Sequence, residues 1–215
     1  MRLAVAMSDG NNELDAVYAL QTPDDNRRHY DGWAETYDSD FVADMDYRLP
    51  ERVAAAFAAA QPDGPVLDVG AGTGLVGVAL TELGIGPVDG TDISPGMLAA
   101  AAKKGVYARL FEGNLLTRLP VPSDSYGSAA SAGTFTNGHV GPDGIDEVIR
   151  VTRPGGLIAL SVNGEHWDAA GFAAKFESLA PRITDLRRAP VHFYGDKATG
   201  AHATDAGWIV LFRKG

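Results

Sequence analysis

Val66-Leu67-Asp68-Val69-Gly70-Ala71-Gly72-Thr73-Gly74 decides the fold. Three apolar residues and one acid read as a short buried strand. Three glycines then alternate with small residues. An apolar-periodic run follows, carrying Leu75, Val76, Val78, Ala79, Leu80 and Leu83. The pattern is strand, tight turn, helix. Glycines suit the turn because, lacking Cβ, they accept positive φ and let a ligand lie directly on the backbone. The helix start beyond them offers unpaired N–H groups.

Two ligand classes use such a turn. Gly72, Gly74 and Gly77 satisfy the dinucleotide spacing G-x-G-x-x-G, which seats a pyrophosphate on the helix N-terminus. Asp68 argues for the other class. A carboxylate at the strand end is expected to face the ligand, where it repels phosphates and attracts an ammonium. S-adenosylmethionine (SAM) has a methionine ammonium and no phosphate. A nicotinamide dehydrogenase and a glycine turn without ligand remain the competing readings.

Outward from this stretch, strands and helices alternate. Leu49–Ala60 reads as an alanine-rich helix with Pro50 near its start. A second strand runs from Pro87 to Asp92, a helix opens at Ser94-Pro95, and Val106–Phe111 forms a third strand. A small-residue fourth strand covers Ser128–Phe135. Helix Ile145–Val151 stops at Arg153-Pro154-Gly155-Gly156, before a fifth strand over Leu157–Val162. A helix carrying Phe172, Phe176 and Leu179 follows. Arg182–Tyr194 and Gly207–Arg213 then close the chain as an antiparallel hairpin. The expected fold is α/β and Rossmann-like: a seven-stranded, mostly parallel sheet with helices on both faces and an antiparallel C-terminal hairpin.

On the N-terminal side, Thr22 is placed to cap a helix, with Pro23 at N1 and Asp25 three residues on. A shorter helix precedes it over Glu13–Leu20, and residues 1–12 are expected to be loosely attached. Tyr30, Trp33, Ala34, Tyr37 and Phe41 continue at helical spacing. The expected division is an N-terminal segment and helical lid over 1–48, and a ligand-binding domain over 49–215.

The 215 residues hold no cysteine, which excludes disulfides, thiolate catalysis and cysteine-ligated metals. No metal is expected. Net charge is −10, from 28 acidic residues against 18 Lys and Arg, and the basic residues cluster only in pairs. Nucleic-acid binding is therefore not expected. No apolar run approaches the roughly 18 residues of a membrane span, so a cytoplasmic, non-membrane protein is expected. Oligomeric state is not legible.

V-L-D-V-G-A-G-T-G resembles motif I of the class I SAM-dependent methyltransferases. The stretch from His29 to Asp38 resembles their Y-D-x-W-A-x-x-Y-D segment, and Ser94-Pro95-Gly96-Met97-Leu98 resembles their S-x-x-M-L. With Gly133 to Val140 (G-x-x-x-G-H-V) and the P-G-G-L turn, the chain is similar to the small Williams–Beuren-region methyltransferase family. The resemblance implies SAM-dependent methyl transfer to a small-molecule acceptor. A SAM-binding module without turnover, or a partner subunit, is the further alternative.

The resemblance also assigns residues. Asp68 and Gly70 would hold the methionine end, Gly72 and Gly74 the close backbone approach, and Asp92 the ribose hydroxyls. An N-cap duty is the plainer reading of Asp92. Ile93 and Met97 would flank the adenine, although Met97 also suits a core. Asn114 stands where the family has an Asp that meets the adenine amine, and Leu115 would cover the ring. Tyr30 and Tyr37 would close the lid over SAM. Trp33 reads first as a core contact and second, with Phe135 and His166, as a substrate contact. His139, beyond the carboxyl end of the fourth strand, is the candidate base.

Overall fold

The computed structural model describes residues 10–215, with side chains from Glu13 onward. The expectation for the first dozen residues lies largely outside this range; from Gly10 the chain is helical. Eight α-helices and seven strands follow among the described residues. Helices α1 (Gly10–Tyr18), α2 (Pro23–Trp33) and α3 (Leu49–Ala59) precede β1 (Val66–Val69). Then come α4 (Leu75–Glu82), β2 (Val88–Asp92), α5 (Pro95–Ala102), β3 (Arg109–Glu112), β4 (Tyr126–Phe135) and α6 (Gly144–Val151). The chain closes with β5 (Thr152–Asn163), α7 (Gly164–Ala170), α8 (Phe172–Leu179), β6 (Ile183–His192) and β7 (Ala206–Lys214).

The sheet order is β3-β2-β1-β4-β5-β7-β6. Pairings from β3 through β5 are parallel, and β5–β7 and β7–β6 are antiparallel. This is the expected seven-stranded sheet. Connections run one way from β1 and the other way from β4, so a crevice opens between these two at their carboxyl ends, where α/β sheets bind ligands.

Both faces of the sheet are covered, and period 2 divides each strand between them. Leu67, Val69, Ile158, Leu160 and Phe212 pack with Ile149, Phe172 and Phe176 of α6 and α8. Val66, Ala159 and Leu211 pack with Val53, Phe57 and Leu80 of α3 and α4. The same alternation puts Asp68 on the second face, with Val66.

Three departures from expectation bear on the site and the sheet. Strand β3 starts at Arg109 instead of Val106, because Tyr107 leaves the sheet to fill the space beside Gly77 and Gly90. The Pro-Gly-Gly turn lies inside β5: register jumps from Tyr126↔Thr152 to Ser128↔Leu157, with Gly155 at φ +76°. The helical stripe through Phe41 breaks at Trp33 and resumes as a π-helical turn over Asp38–Val42.

Candidate active site

The turn after β1 forms a shelf at the crevice. Gly70, Gly72 and Gly74 have φ of +68°, +54° and +94°. They serve different purposes. A Cβ on Gly70 would fall 2.0 Å from Thr134 Oγ1, and one on Gly74 would meet the Tyr107 ring at 3.0 Å. A Cβ on Gly72 would meet no protein atom within 4 Å. Gly70, Ala71, Gly72 and Thr73 line the cavity, and Gly74 does not. Gly74 is thus a packing glycine at the start of α4, which corrects its expected place against the ligand.

Asp68 corrects a second expectation. Its side chain is 0% exposed and is absent from the cavity wall. Oδ2 accepts the Tyr107 hydroxyl at 2.6 Å, and that hydroxyl in turn accepts the Gly77 N–H at 3.2 Å. Oδ1 is buried without a partner. The strand alternation aims Asp68 under α4 instead of at the ligand. The choice against phosphate cannot rest on its charge.

Burial pushes the Asp68 carboxyl up from its ordinary 3.8 to about 7; the Tyr107 hydrogen bond opposes this and the Asp92 charge adds to it. Between those two values the native state holds a proton that the unfolded chain has released. Stability contributed by this group is therefore present at low pH, falls as pH rises through that window, and levels off above it. Asp68→Asn removes the titration. Urea midpoints at about pH 5 and pH 8 should differ less in the variant than in the wild type; equal differences would contradict the assignment.

At the end of β2, Asp92 stands in the cavity wall. Its Oδ2 accepts the Gly72 N–H and its Oδ1 accepts the Ser94 N–H, both at 2.9 Å. One carboxylate therefore sets the shelf and the entry to α5. Each oxygen has a further lone pair for a ligand hydroxyl. The N-cap of α5 is Ser94, whose hydroxyl accepts the Met97 N–H at 3.0 Å. Ile93, Met97 and Leu115 line an apolar slot beside it. Asn114 also lines the cavity, but its Oδ1 accepts the Leu116 N–H at 2.8 Å, so its carbonyl already serves the local turn.

The N-terminal helices roof the crevice. Thr22 caps α2 by accepting the Asp25 N–H at 3.1 Å, as its sequence predicts. Asp31 Oδ1 accepts from Ser94 Oγ at 2.6 Å and from Gly96 N at 2.9 Å, joining α2 to α5. Gly96 permits this approach, since a Cβ there would sit 3.1 Å from Asp31 Cα. Thr73 donates to Asp38 at 2.6 Å, and Lys104 pairs with the same carboxylate. Under this roof Trp33 packs against Tyr30, Tyr37 and Phe41 at centroid distances of 6.0, 4.8 and 5.4 Å. All four rings reach the cavity.

Phe135 and His139 line the same cavity from the end of β4. Burial pushes the His139 imidazole down to about 4, so it is neutral near pH 7. His166 is not in the wall. Its Nε2 lies 3.1 Å from the Val140 carbonyl and its ring packs on Phe172, so the expected substrate contact is corrected to a structural one. The sequence reading missed Tyr18, Asn26, Tyr47, Ser161 and Tyr194, which also line the cavity. Asn26 carried a usable signal, lying one turn before Tyr30 on the same stripe. Tyr47 and Tyr194 meet across an isolated bridge that joins distant parts of the chain, which spacing alone does not reveal.

These residues fit SAM: an open glycine shelf, a strand-end carboxylate with lone pairs to spare, and an apolar slot beside it. The sheet order and the glycine shelf have the Rossmann-like form of methyltransferase folds. A family model described as a methyltransferase domain matches residues 66–156. The chain is similar to methyltransferase-like protein 27 of Homo sapiens, at 39% identity over 137 residues, covering 61% of this chain and 55% of that protein. It is also similar to a demethylmenaquinone methyltransferase of Beutenbergia cavernae, at 31% over 160 residues, covering 73% and 63%. The chain thus spans 55% to 63% of the length of these curated relatives.

Among solved structures, a TehB-like SAM-dependent methyltransferase from Corynebacterium glutamicum superposes with a TM-score of 0.62 at 22% identity, covering 87% of this chain and 99% of that one. A Haloferax volcanii methyltransferase in complex with the Trm112 activator gives 0.62 at 17%, covering 86% and 96%. The [4+2]-cyclase SpnF gives 0.66 at 16%, covering 91% and 97%. At these identities the likeness is one of fold, and a fold alone does not fix a reaction.

Proposed function

We propose that this protein transfers a methyl group from SAM to a small-molecule acceptor and releases S-adenosylhomocysteine. The observation that carries the reading is one continuous cavity. It runs from the Gly70–Thr73 shelf and Asp92 to the rings of Tyr30, Tyr37 and Tyr47 under the chain's own roof. A roofed chamber suits a compact acceptor. The names of the demethylmenaquinone methyltransferases support a non-macromolecular acceptor.

SAM, when bound, supplies an electrophilic methyl carbon on a sulfonium, whose S–C bond cleaves with the electron pair left on sulfur. The chain's own work is binding, orientation and exclusion of water. Gly72 gives room for the methionine end, Asp92 holds the ribose, and Ile93, Met97 and Leu115 flank the adenine. Residues 13–48 act as the lid of a unit that runs on from residue 49. No helix among the described residues is long and apolar enough to cross a membrane. Incubation with methyl-labelled SAM and an acceptor library tests the reading. Label should move to a small molecule with equimolar S-adenosylhomocysteine. S-adenosylhomocysteine binding without transfer across broad libraries would instead favour a binding module.

A further inference from the structure

Two hydrogen bonds join the lid helix to the loop after β4 side by side. Asn26 Nδ2 donates to the Gly138 carbonyl at 2.7 Å and to the Thr22 carbonyl at 3.0 Å. One turn later, Tyr30 Oη lies 2.8 Å from His139 Nε2. Nδ1 of the same imidazole lies 2.9 Å from the Asn137 carbonyl. A carbonyl only accepts, so Nδ1 carries the ring proton and Nε2 holds a lone pair. Tyr30 is therefore the donor to His139, and its hydroxyl oxygen keeps its own lone pairs.

Asn26 is fixed in the same way. Both of its amide hydrogens are engaged, so Oδ1 points elsewhere; it is buried without a partner, on a side chain 6% exposed in the cavity wall. A buried acceptor left without a donor is unfavourable, so a ligand donor other than the reacting hydroxyl is favoured there. Trp33 Nε1, also buried without a partner, offers one donor to an oxygen lone pair. Among the described lining residues, Asp92 is the only Asp, Glu, Lys or Arg. It belongs to the ribose end, so a charged acceptor would find no counter-charge in the aromatic chamber.

We propose that Asn26, Tyr30 and His139 form the acceptor subsite, that it takes a neutral aromatic hydroxyl compound, and that Tyr30 relays the hydroxyl proton to His139. The proposal rests on the methyl-transfer reading above and names its acceptor class. The acceptor oxygen bonds to the methyl carbon, and the electron pair of the broken S–C bond stays on sulfur. The hydroxyl proton passes to Tyr30 Oη while the proton of Tyr30 passes to His139 Nε2. The positive charge that leaves sulfur reappears on the imidazole, so the charge of the cavity is conserved. A weak base is sufficient, because an oxygen that has gained a methyl group is far more acidic than an imidazolium. The imidazolium returns its proton to solvent when the site opens.

The test uses the full chain saturated with S-adenosylhomocysteine, titrated calorimetrically with p-cresol and separately with its methyl ether, 4-methylanisole. The His139 ring nitrogens are followed by 15N NMR. p-Cresol should bind at least tenfold more tightly than the ether and shift the His139 signals. Tyr30→Phe should keep S-adenosylhomocysteine affinity within threefold and reduce the cresol-to-ether ratio to below three. His139→Gln, tested alongside in case one variant folds poorly, should reduce the ratio likewise. Equal binding of cresol and ether by the wild type would overturn the subsite. So would a tenfold loss of S-adenosylhomocysteine affinity in Tyr30→Phe, which would make Tyr30 a cofactor contact. Failure of the wild type to bind S-adenosylhomocysteine would strike the underlying methyl-transfer reading first.

Discussion

Gly72→Ala is expected to weaken S-adenosylhomocysteine binding at least a hundredfold, which is about 2.7 kcal/mol, while the fold loses only about 1–2 kcal/mol for a non-glycine residue at positive φ. The asymmetry comes from where the new methyl group goes. Gly72 has φ +54°, and a Cβ there meets no protein atom within 4 Å. The space it enters is open, and on the proposed reading the ligand lies there. The neighbouring glycines do not separate the two effects. At Gly70 the methyl collides with Thr134, and at Gly74 it presses on Tyr107, so either change damages the turn itself. Calorimetry together with a urea melt measures both quantities. Unchanged affinity in a folded Gly72→Ala would remove the shelf from the site.

The second large effect is expected at Asp92. Asp92→Ala should weaken S-adenosylhomocysteine binding more than tenfold with the fold retained. Two losses combine. The carboxylate accepts the Gly72 and Ser94 N–H groups, so its removal loosens the shelf, and on the proposed reading it also takes away the acceptor for the ribose. A ligand lacking the 2′- and 3′-hydroxyls separates them. The wild type should discriminate strongly against that ligand, and Asp92→Ala should bind both ligands nearly equally, the coupling expected of groups in contact. Discrimination that survives in the variant would leave Asp92 a loop-fixing residue only.

What was legible in the sequence follows from the range of the forces that write it. The Thr22 cap, the β1–turn–α4 unit and the alternation of Val66, Leu67 and Val69 are local patterns, and the structure carries them. The mostly parallel sheet followed from the α/β alternation, whereas the strand order that opens the crevice came only with the structure. The orientation of Asp68 was equally local, since period 2 places it with Val66 away from the ligand, yet the motif drew attention to its charge and not to its face. His166 and Tyr107 depend on partners far along the chain, Val140 and Asp68, and no spacing rule reaches them. The pairing of Tyr30 with His139 is of the same kind: each residue stood out alone, and only the fold brings Nε2 to 2.8 Å from the hydroxyl.

Calorimetric titration of the unmodified protein with S-adenosylhomocysteine, and separately with NADH, decides which cofactor the glycine shelf takes. S-adenosylhomocysteine should bind at a single site with a dissociation constant in the micromolar range, and NADH should give no heat. Binding of NADH with none of S-adenosylhomocysteine would contradict it, and would return the glycine turn to the dinucleotide class whose spacing Gly72, Gly74 and Gly77 also satisfy.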